Sequence, residues 1–323
     1  MTKKTPLILV GLLCCGAPFT SCQDGMIGES STPNAAIELL KVKFNDELKV
    51  KYSAGLSRMK IKIANSENEY FLLVESDDLC EITIYRVNLL AKSASHLRTF
   101  SAESRIGDVF FDCQSGYLWV FYYDAKKMRT IGGRVRTQDD DLKELSLPAK
   151  VTIEAVVMLP DLETVIIGLW KSGTKSSLLE RRAVVLDKHG KWRWLDSPVV
   201  LVADILPSNR MSVISTGNLV YVAWFGAKVL NDKTIDFSQG ALNVRVLKVD
   251  DNTPKLSATQ TVGFATLPPW GPPHDPIILK STGHGIRLKY QHTATGNYVL
   301  DRDQTPIIDM ILSEPKNFEE VKK

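Results

Sequence analysis

The chain has 323 residues, 44% apolar and 24% charged, with a formal net charge of +3. That length is ample for a buried core, and so balanced a charge argues against the strong positive field of a nucleic-acid or membrane-surface binder. Of its 5 cysteines only Cys80 and Cys113 lie beyond the first 22 residues, too few for a scaffold built from disulfides.

The chain opens with MTKK, continues as an apolar run from Pro6 to Gly16, and reaches small and polar residues at Ala17 to Ser21. This is the three-part layout of a secretory signal. The run is about half of the ~20 residues a spanning helix needs, and no later segment is long and uncharged, so a soluble exported body is expected. Residues Phe19, Thr20, Ser21 and Cys22 resemble the lipobox of bacterial lipoproteins, with Phe19 in place of the family's usual Leu. The resemblance implies a signal over 1–21 and a lipid on Cys22. Cys14 and Cys15 suit cleavage poorly because Leu12 and Leu13 precede them. By the family's rule, Gln23 in the next position implies the outer membrane, facing the periplasm or the surface. Cleavage by an ordinary signal peptidase is the alternative, and export holds under both.

Residues 22–38 read as a flexible linker, rich in Ser, Pro and Asn between Asp24 and Asn34. From there to residue 314 one pattern returns five times: an apolar run, a short polar turn, and a second run heavy in Val, Leu, Tyr and Trp. The units are RMKIKIA with EYFLLVES, GDVFFDC with YLWVFYYD, IEAVVML with TVIIGLWK, RMSVIS with LVYVAWFG, and PIILK with GIRLKYQH. Each reads as a β-hairpin. A third run follows in EITIYRVN, RTIGGRVRT, LLERRAVVLD, ALNVRVLKVD and NYVLDRD. A weaker, more polar fourth is seen in HLRTFSAE, LKELSLP, KWRWLDSP, KLSATQTV and PIIDMILS.

Dense apolar first and second strands fit burial on both faces, and charged fourth strands fit an outer edge. Units of this kind, ~50 residues long, predict an all-β protein, a β-propeller of about five four-stranded blades spanning 39–314. A sixth blade arises if the segment Leu40 to Tyr52 supplies strands or closes the ring. An irregular β-sandwich is the rival architecture. Residues 315–323 read as a charged tail. In VLDKHGKWRW, Asp187, Gly190 and Trp192 resemble a degenerate Asp-box, the turn of sialidase-like propellers; the resemblance implies architecture, since that box lies away from the family's active site.

Glycosidases need paired carboxylates, and sialidases also need an arginine cluster. The segment Arg105, Ile106, Gly107 lacks the proline of the sialidase Arg-Ile-Pro opening, and no further arginines fall at matching strand starts. His96, His189, His274, His284 and His292 are scattered without tight metal spacing. The run Asp139, Asp140, Asp141 lacks the alternating ligands and glycine of a calcium loop. No nucleophile elbow or phosphate loop is present. Neither a metal nor a cofactor is expected, and catalytic residues are not assigned.

The expected binding face is therefore the end formed by the blade-to-blade connections and the turns between second and third strands. Its candidate residues are Asp77, Asp78, Glu103, Arg105, Phe225, Asp232, Lys233, Trp270, His274 and Asp275. Trp270 sits among four prolines in LPPWGPPHDP, which would stiffen an exposed ring for contact with a partner; plugging a gap between blades is the equal alternative. Cys80 and Cys113 can form one disulfide in an oxidising compartment or stay as two buried thiols. The expectation is a lipid-anchored envelope protein that binds another macromolecule, such as a toxin met by an immunity-type lipoprotein or a component of envelope assembly. A carbohydrate-binding or glycoside-hydrolysing propeller is the alternative.

Overall fold

The computed structural model describes residues 31–46, 48, 59–63, 68–137, 143–171, 179–205, 211–229, 235–250, 253–266, 277–282, 285–291 and 307–321. The first antiparallel sheet is β1 (Met59–Ile63), β2 (Glu69–Glu75), β3 (Glu81–Asn88) and β4 (Ser93–Ser101), paired in that order. The second repeats it with β5 (Ile106–Gln114), β6 (Tyr117–Asp124), β7 (Arg129–Arg136) and β8 (Lys143–Leu147). The third has β9 (Thr152–Met158), β10 (Thr164–Lys171) and β11 (Leu179–Leu186), with its outer edge divided between β12 (Trp192–Arg193) and β13 (Val199–Ile205). The fourth has β14 (Met211–Thr216), β15 (Leu219–Val229) and β16 (Ile235–Lys248), with its edge divided between β17 (Lys255–Leu256) and β18 (Gln260–Thr266). The fifth contains, among the described residues, β19 (Ile278–Thr282), β20 (Gly285–Gln291) and β21 (Ile307–Leu312).

First strands pack on first strands in chain order, β1 on β5, β5 on β9, β9 on β14 and β14 on β19, so they stand innermost. The inside-to-outside gradient read from composition is present: Tyr70 to Val74 of β2 and Thr164 to Trp170 of β10 are buried without a break, whereas Phe100 alone is buried in β4. These sheets, stacked face to face in chain order around their first strands, make the protein an all-β propeller of five blades.

Alternation along each second strand sends successive side chains to opposite faces. Phe71 and Leu73 of blade 1 meet Phe111, Leu118 and Val120 of blade 2. Trp119 and Phe121 then meet Ile153, Ile166 and Trp170 of blade 3. Val165 and Ile167 meet Val213, Val220 and Val222 of blade 4, and Tyr221, Phe225 and Leu242 meet Leu279, Ile286, Leu288 and Tyr290 of blade 5. Each such side chain contributes ~1.5–3 kcal/mol on burial, so these four seams hold the fold.

Several segments depart from the sequence reading. Residues 31–43, split above between linker and domain, form the helix α1 (Ser31–Lys43). Pro33 stands in its first turn, where a missing N–H costs nothing, and Lys41 and Lys43 complement the dipole at its end. Ala36 and Leu40 are buried against Tyr70, Leu72, Tyr85 and Val87, so α1 covers the face of blade 1 turned away from blade 2. Of the segment Leu40 to Tyr52, read as a source of extra strands, the first four residues belong to α1 beside blade 1 instead, and residues 47 and 49–52 lie outside the described residues. In blade 5, PIIDMILS takes the third place, because β21 pairs directly with β20; NYVLDRD lies outside the described residues. Of the 315–323 tail, residues 315–321 are described and docked: β22 (Glu319–Glu320) pairs with β17 of blade 4, Phe318 packs on the blade 4–5 seam and Val321 on the blade 3–4 seam.

Candidate functional site

The turns between second and third strands in blades 1 and 2 are held by carboxylates. In blade 1, Asp78 accepts hydrogen bonds from Ser76 Oγ at 2.6 Å and from the Cys80 amide at 2.9 Å. The Ser76 hydroxyl and then the Cys80 N–H hold its carboxyl below the usual range. In blade 2, the buried Asp124 accepts from the amides of Lys126 and Lys127 at 3.0 and 3.1 Å. These short-range bonds are the reason an acidic residue closes each of these two turns.

The connection from blade 1 to blade 2 is fastened to the first of these turns. The Ala102 amide donates to Cys80 O at 2.9 Å and the Ile106 amide to Leu79 O at 2.7 Å. Glu103 and Arg105, both exposed, are thereby placed beside the exposed pair Asp77 and Asp78. Glu103 pairs with Lys126 of blade 2, whose amide donates to Ser104 Oγ at 3.2 Å. Lys150, from the next blade junction, pairs with Asp108 at 3.2 Å and lies 4.8 Å from the centre of the Tyr123 ring. Asp77, Asp78, Glu103 and Arg105 therefore do come to one end of blades 1 and 2. Lys126, Lys127 and Lys150 join them. The sequence reading missed these lysines, although DAKK after the second strand of blade 2 stands where SDDL stands in blade 1.

Phe225 belongs elsewhere. It was expected on an exposed loop, but β15 and β16 continue as a ladder to Val229 and Ile235, with Phe225 opposite Leu242. The side chain is 0% exposed and its ring lies 5.6 Å from that of Tyr290. The apolar face of blade 5 covers it, so Phe225 is a core residue of the blade 4–5 seam. Cys80 and Cys113 are not joined in a disulfide: Cys113 is buried in the blade 1–2 seam, and Cys80 lies in the β2–β3 turn with its Sγ 3.6 Å from Asp78 O. Cys22, Asp232, Lys233, Trp270, His274 and Asp275 lie outside the described residues.

At the opposite end, a shallow groove of about 680 Å³ lies between blades 3 and 4, lined by Asp161, Glu163, Asn218, Asp250, Lys255 and Glu320. Its groups are largely engaged with one another or with the nearby Arg193: Lys255 pairs with Asp250 at 3.3 Å, Asn218 bonds Asp250 at 3.1 Å, and Glu163 pairs with Arg193. Among the described residues no group of three or more His, Cys, Asp or Glu side chains stands together as a metal site. The carboxylate whose pKa is shifted at the charged rim, Asp78, is shifted downward and stays ionised near neutrality, which suits charge recognition and not proton donation.

The Asp-box-like segment forms the β11–β12 turn at the groove end. Asp187 Oδ1 accepts from the His189 amide at 2.9 Å and the Lys191 amide at 2.7 Å, and the Gly190 amide donates to Asp187 O at 2.8 Å. Gly190 has a φ of +79°, a left-handed position that suits glycine. The Lys191 amide first, and then that of His189, lowers the Asp187 pKa below its usual 3.8. A depressed carboxylate stabilises the fold above its unfolded-state pKa and loses that contribution as pH falls through the folded one. Asp187→Ala is accordingly expected to lower the urea midpoint at pH 7, with the gap to the wild type narrowing below about pH 4. Chemical denaturation across that range checks it.

No family model matches the chain, and no curated protein matches it in sequence. Among solved structures, the β-propeller domain of the Trilobed protease from Pyrococcus furiosus is similar at 9% identity, over 80% of this chain and 81% of that one, with a TM-score of 0.40. A protein from Lactobacillus plantarum is similar at 15% identity over 77% of this chain and 70% of its own, with a TM-score of 0.42. The phage phi92 endosialidase is similar at 11% identity over 80% of this chain and 46% of its own, with a TM-score of 0.40.

Proposed function

We propose that the protein is a bacterial envelope lipoprotein, anchored through Cys22, whose propeller binds another macromolecule through the charged rim of blades 1 and 2. The observation that supports this reading is that Asp77, Glu103, Arg105 and Lys126, exposed and drawn from two blades, gather on connections pinned by backbone hydrogen bonds. Charges on pinned turns lose little conformational freedom on association, and mixed signs set the orientation of a partner. A protein partner is favoured, either a toxin that the lipoprotein blocks or a component of the envelope. Trp270 is proposed as an apolar anchor on the same end.

The test is capture from envelope extracts with residues 23–323, comparing the wild type with the double charge reversal Glu103→Lys/Arg105→Glu and with Trp270→Ala. A stoichiometric protein, lost with the charge reversal while far-UV circular dichroism is unchanged, is the expected result. Undiminished capture would remove the rim from consideration. Saturable binding of a glycan that ignores the reversal would favour the carbohydrate reading instead. Cys22→Ala is expected to move the protein from the membrane to the soluble fraction, because loss of the acyl chains removes the anchor; a variant that stays with the membrane would count against lipidation.

A further inference from the structure

The face of blade 2 turned toward blade 3 carries, at the groove end, a cluster of cations on aromatic rings that the proposed function does not use. Arg134 and Arg136 are two apart on β7 and so share a face. Across the β6 ladder they stand opposite Trp119 and Tyr117, and on its other side Arg134 stands opposite Lys143 of β8. The Arg134 guanidinium carbon lies 5.3 Å from the centre of the Tyr117 ring and 5.4 Å from that of Trp119. That of Arg136 lies 5.7 Å from Tyr117, and its Nε donates to the Tyr117 hydroxyl at 3.1 Å. Lys143 Nζ donates to His189 O at 2.9 Å, so the Asp187 turn of blade 3 walls the cluster on one side.

This packing is electrostatically uneven. The rings shield one side of each guanidinium, and cation–π attraction returns only ~0.5–2 kcal/mol. Burial first, and the neighbouring Arg136 charge as well, lower the pKa of Arg134, with Tyr117 acting in the opposite direction. Among the described residues no carboxylate pairs with Arg134, although its guanidinium fork is the group best shaped to receive two oxygens at once.

We propose that Arg134, Arg136 and Lys143 form a binding site for an oxyanion, a phosphate or carboxylate group, on a ligand whose ring or apolar face lies against Tyr117. The oxyanion supplies the Arg134 fork with the negative charge that its surroundings lack, and Tyr117 orients Arg134 and Arg136 before the ligand arrives. The site lies at the opposite end of the blades from the charged rim, so it holds whether or not the rim binds a macromolecule.

The experiment is a titration of the whole mature chain, at low ionic strength and pH 7, with inorganic phosphate and separately with glucuronate, reading the arginine Nε–Hε resonances by NMR. Saturable shifts of Arg134 and Arg136 are expected, weakened about tenfold or more in Arg134→Gln. Asp78→Asn, at the other end, is expected to leave them unchanged. Saturation by phosphate alone would place the ligand among phosphorylated molecules, and by glucuronate alone among carboxylated sugars; either outcome supports the site. No saturable shift with either anion, or equal affinity in an Arg134→Gln protein of unchanged melting temperature, would overturn it. The acidic run Asp139 to Asp141 follows β7 in the chain, so its removal is the control for an intrachain counter-ion. Binding seen only in the triple variant Asp139→Asn/Asp140→Asn/Asp141→Asn would therefore also overturn the proposal, leaving the cluster as an intrachain contact.

Discussion

Phe225→Ala is expected to destabilise the protein by about 3–5 kcal/mol, the range for deleting a fully buried aromatic ring. The ring is 0% exposed and sits in the seam formed with Leu242, Leu288 and Tyr290. Its removal leaves a cavity that two facing sheets cannot close without sliding, since each is held by its own ladder. The measurement is the urea midpoint at an unchanged denaturant slope. Capture of the proposed partner by the folded fraction should be unaltered, because Phe225 faces blade 5 and not the solvent. A small stability change with lost binding would return Phe225 to the surface role expected from its sequence position.

A comparably large loss, about 3–5 kcal/mol, is expected for Glu154→Ala. Arg181 of β11 is 0% exposed, and Glu154 of β9, 17% exposed, meets it through two bonds of 2.7 and 2.9 Å. Glu154 reaches that position because the β9–β10 register slips by one residue between Ile167 and Gly168, leaving Glu154 as the extra residue of a bulge. Gly168 permits the close approach: a Cβ there would lie 2.6 Å from Val151 Cγ1 and 2.8 Å from Thr152 O. Removing Glu154 alone takes from a buried guanidinium the carboxylate that meets it through two bonds. Replacing both partners, as in Glu154→Leu/Arg181→Met, removes the charge along with its desolvation cost and is expected to fall near the wild type. If single and double variants lose the same stability, the loss comes from packing and not from the ion pair.

Sequence reasoning succeeded where the signal was local and failed where it was not. The run EYFLLVES could be read as a strand buried on both faces because five adjacent apolar side chains leave no polar face to offer water, and Tyr70 to Val74 are indeed buried in an unbroken row. The same logic misplaced Phe225. Gly226 and the polar residues after it read as a loop, but backbone pairing across the hairpin carries β15 on to Val229 regardless of side-chain polarity. The helix α1 was hidden by Ser, Thr, Pro and Asn at its start, which serve equally as turn residues and as a helix N-terminus. At the rim, Asp77, Asp78, Glu103 and Arg105 were legible as a group because propeller topology assigns their connections to one end. Lys126 and Lys150 were not, because their partners lie 23 and 42 residues away in the chain.

By itself, the sequence determined the recurring unit of strands, its order along the chain and the inner-to-outer gradient within it, since these follow from a two-residue alternation and from turns whose carboxylates bond to amides two to four residues away. Its first residues carry the expectation of export. Only the tertiary structure decided which covering blade 1 receives, that the last residues return to β17 of blade 4, and which charges meet at each end. Those outcomes depend on contacts between residues far apart in the chain, where loop-closure entropy and competing partners outweigh local preference.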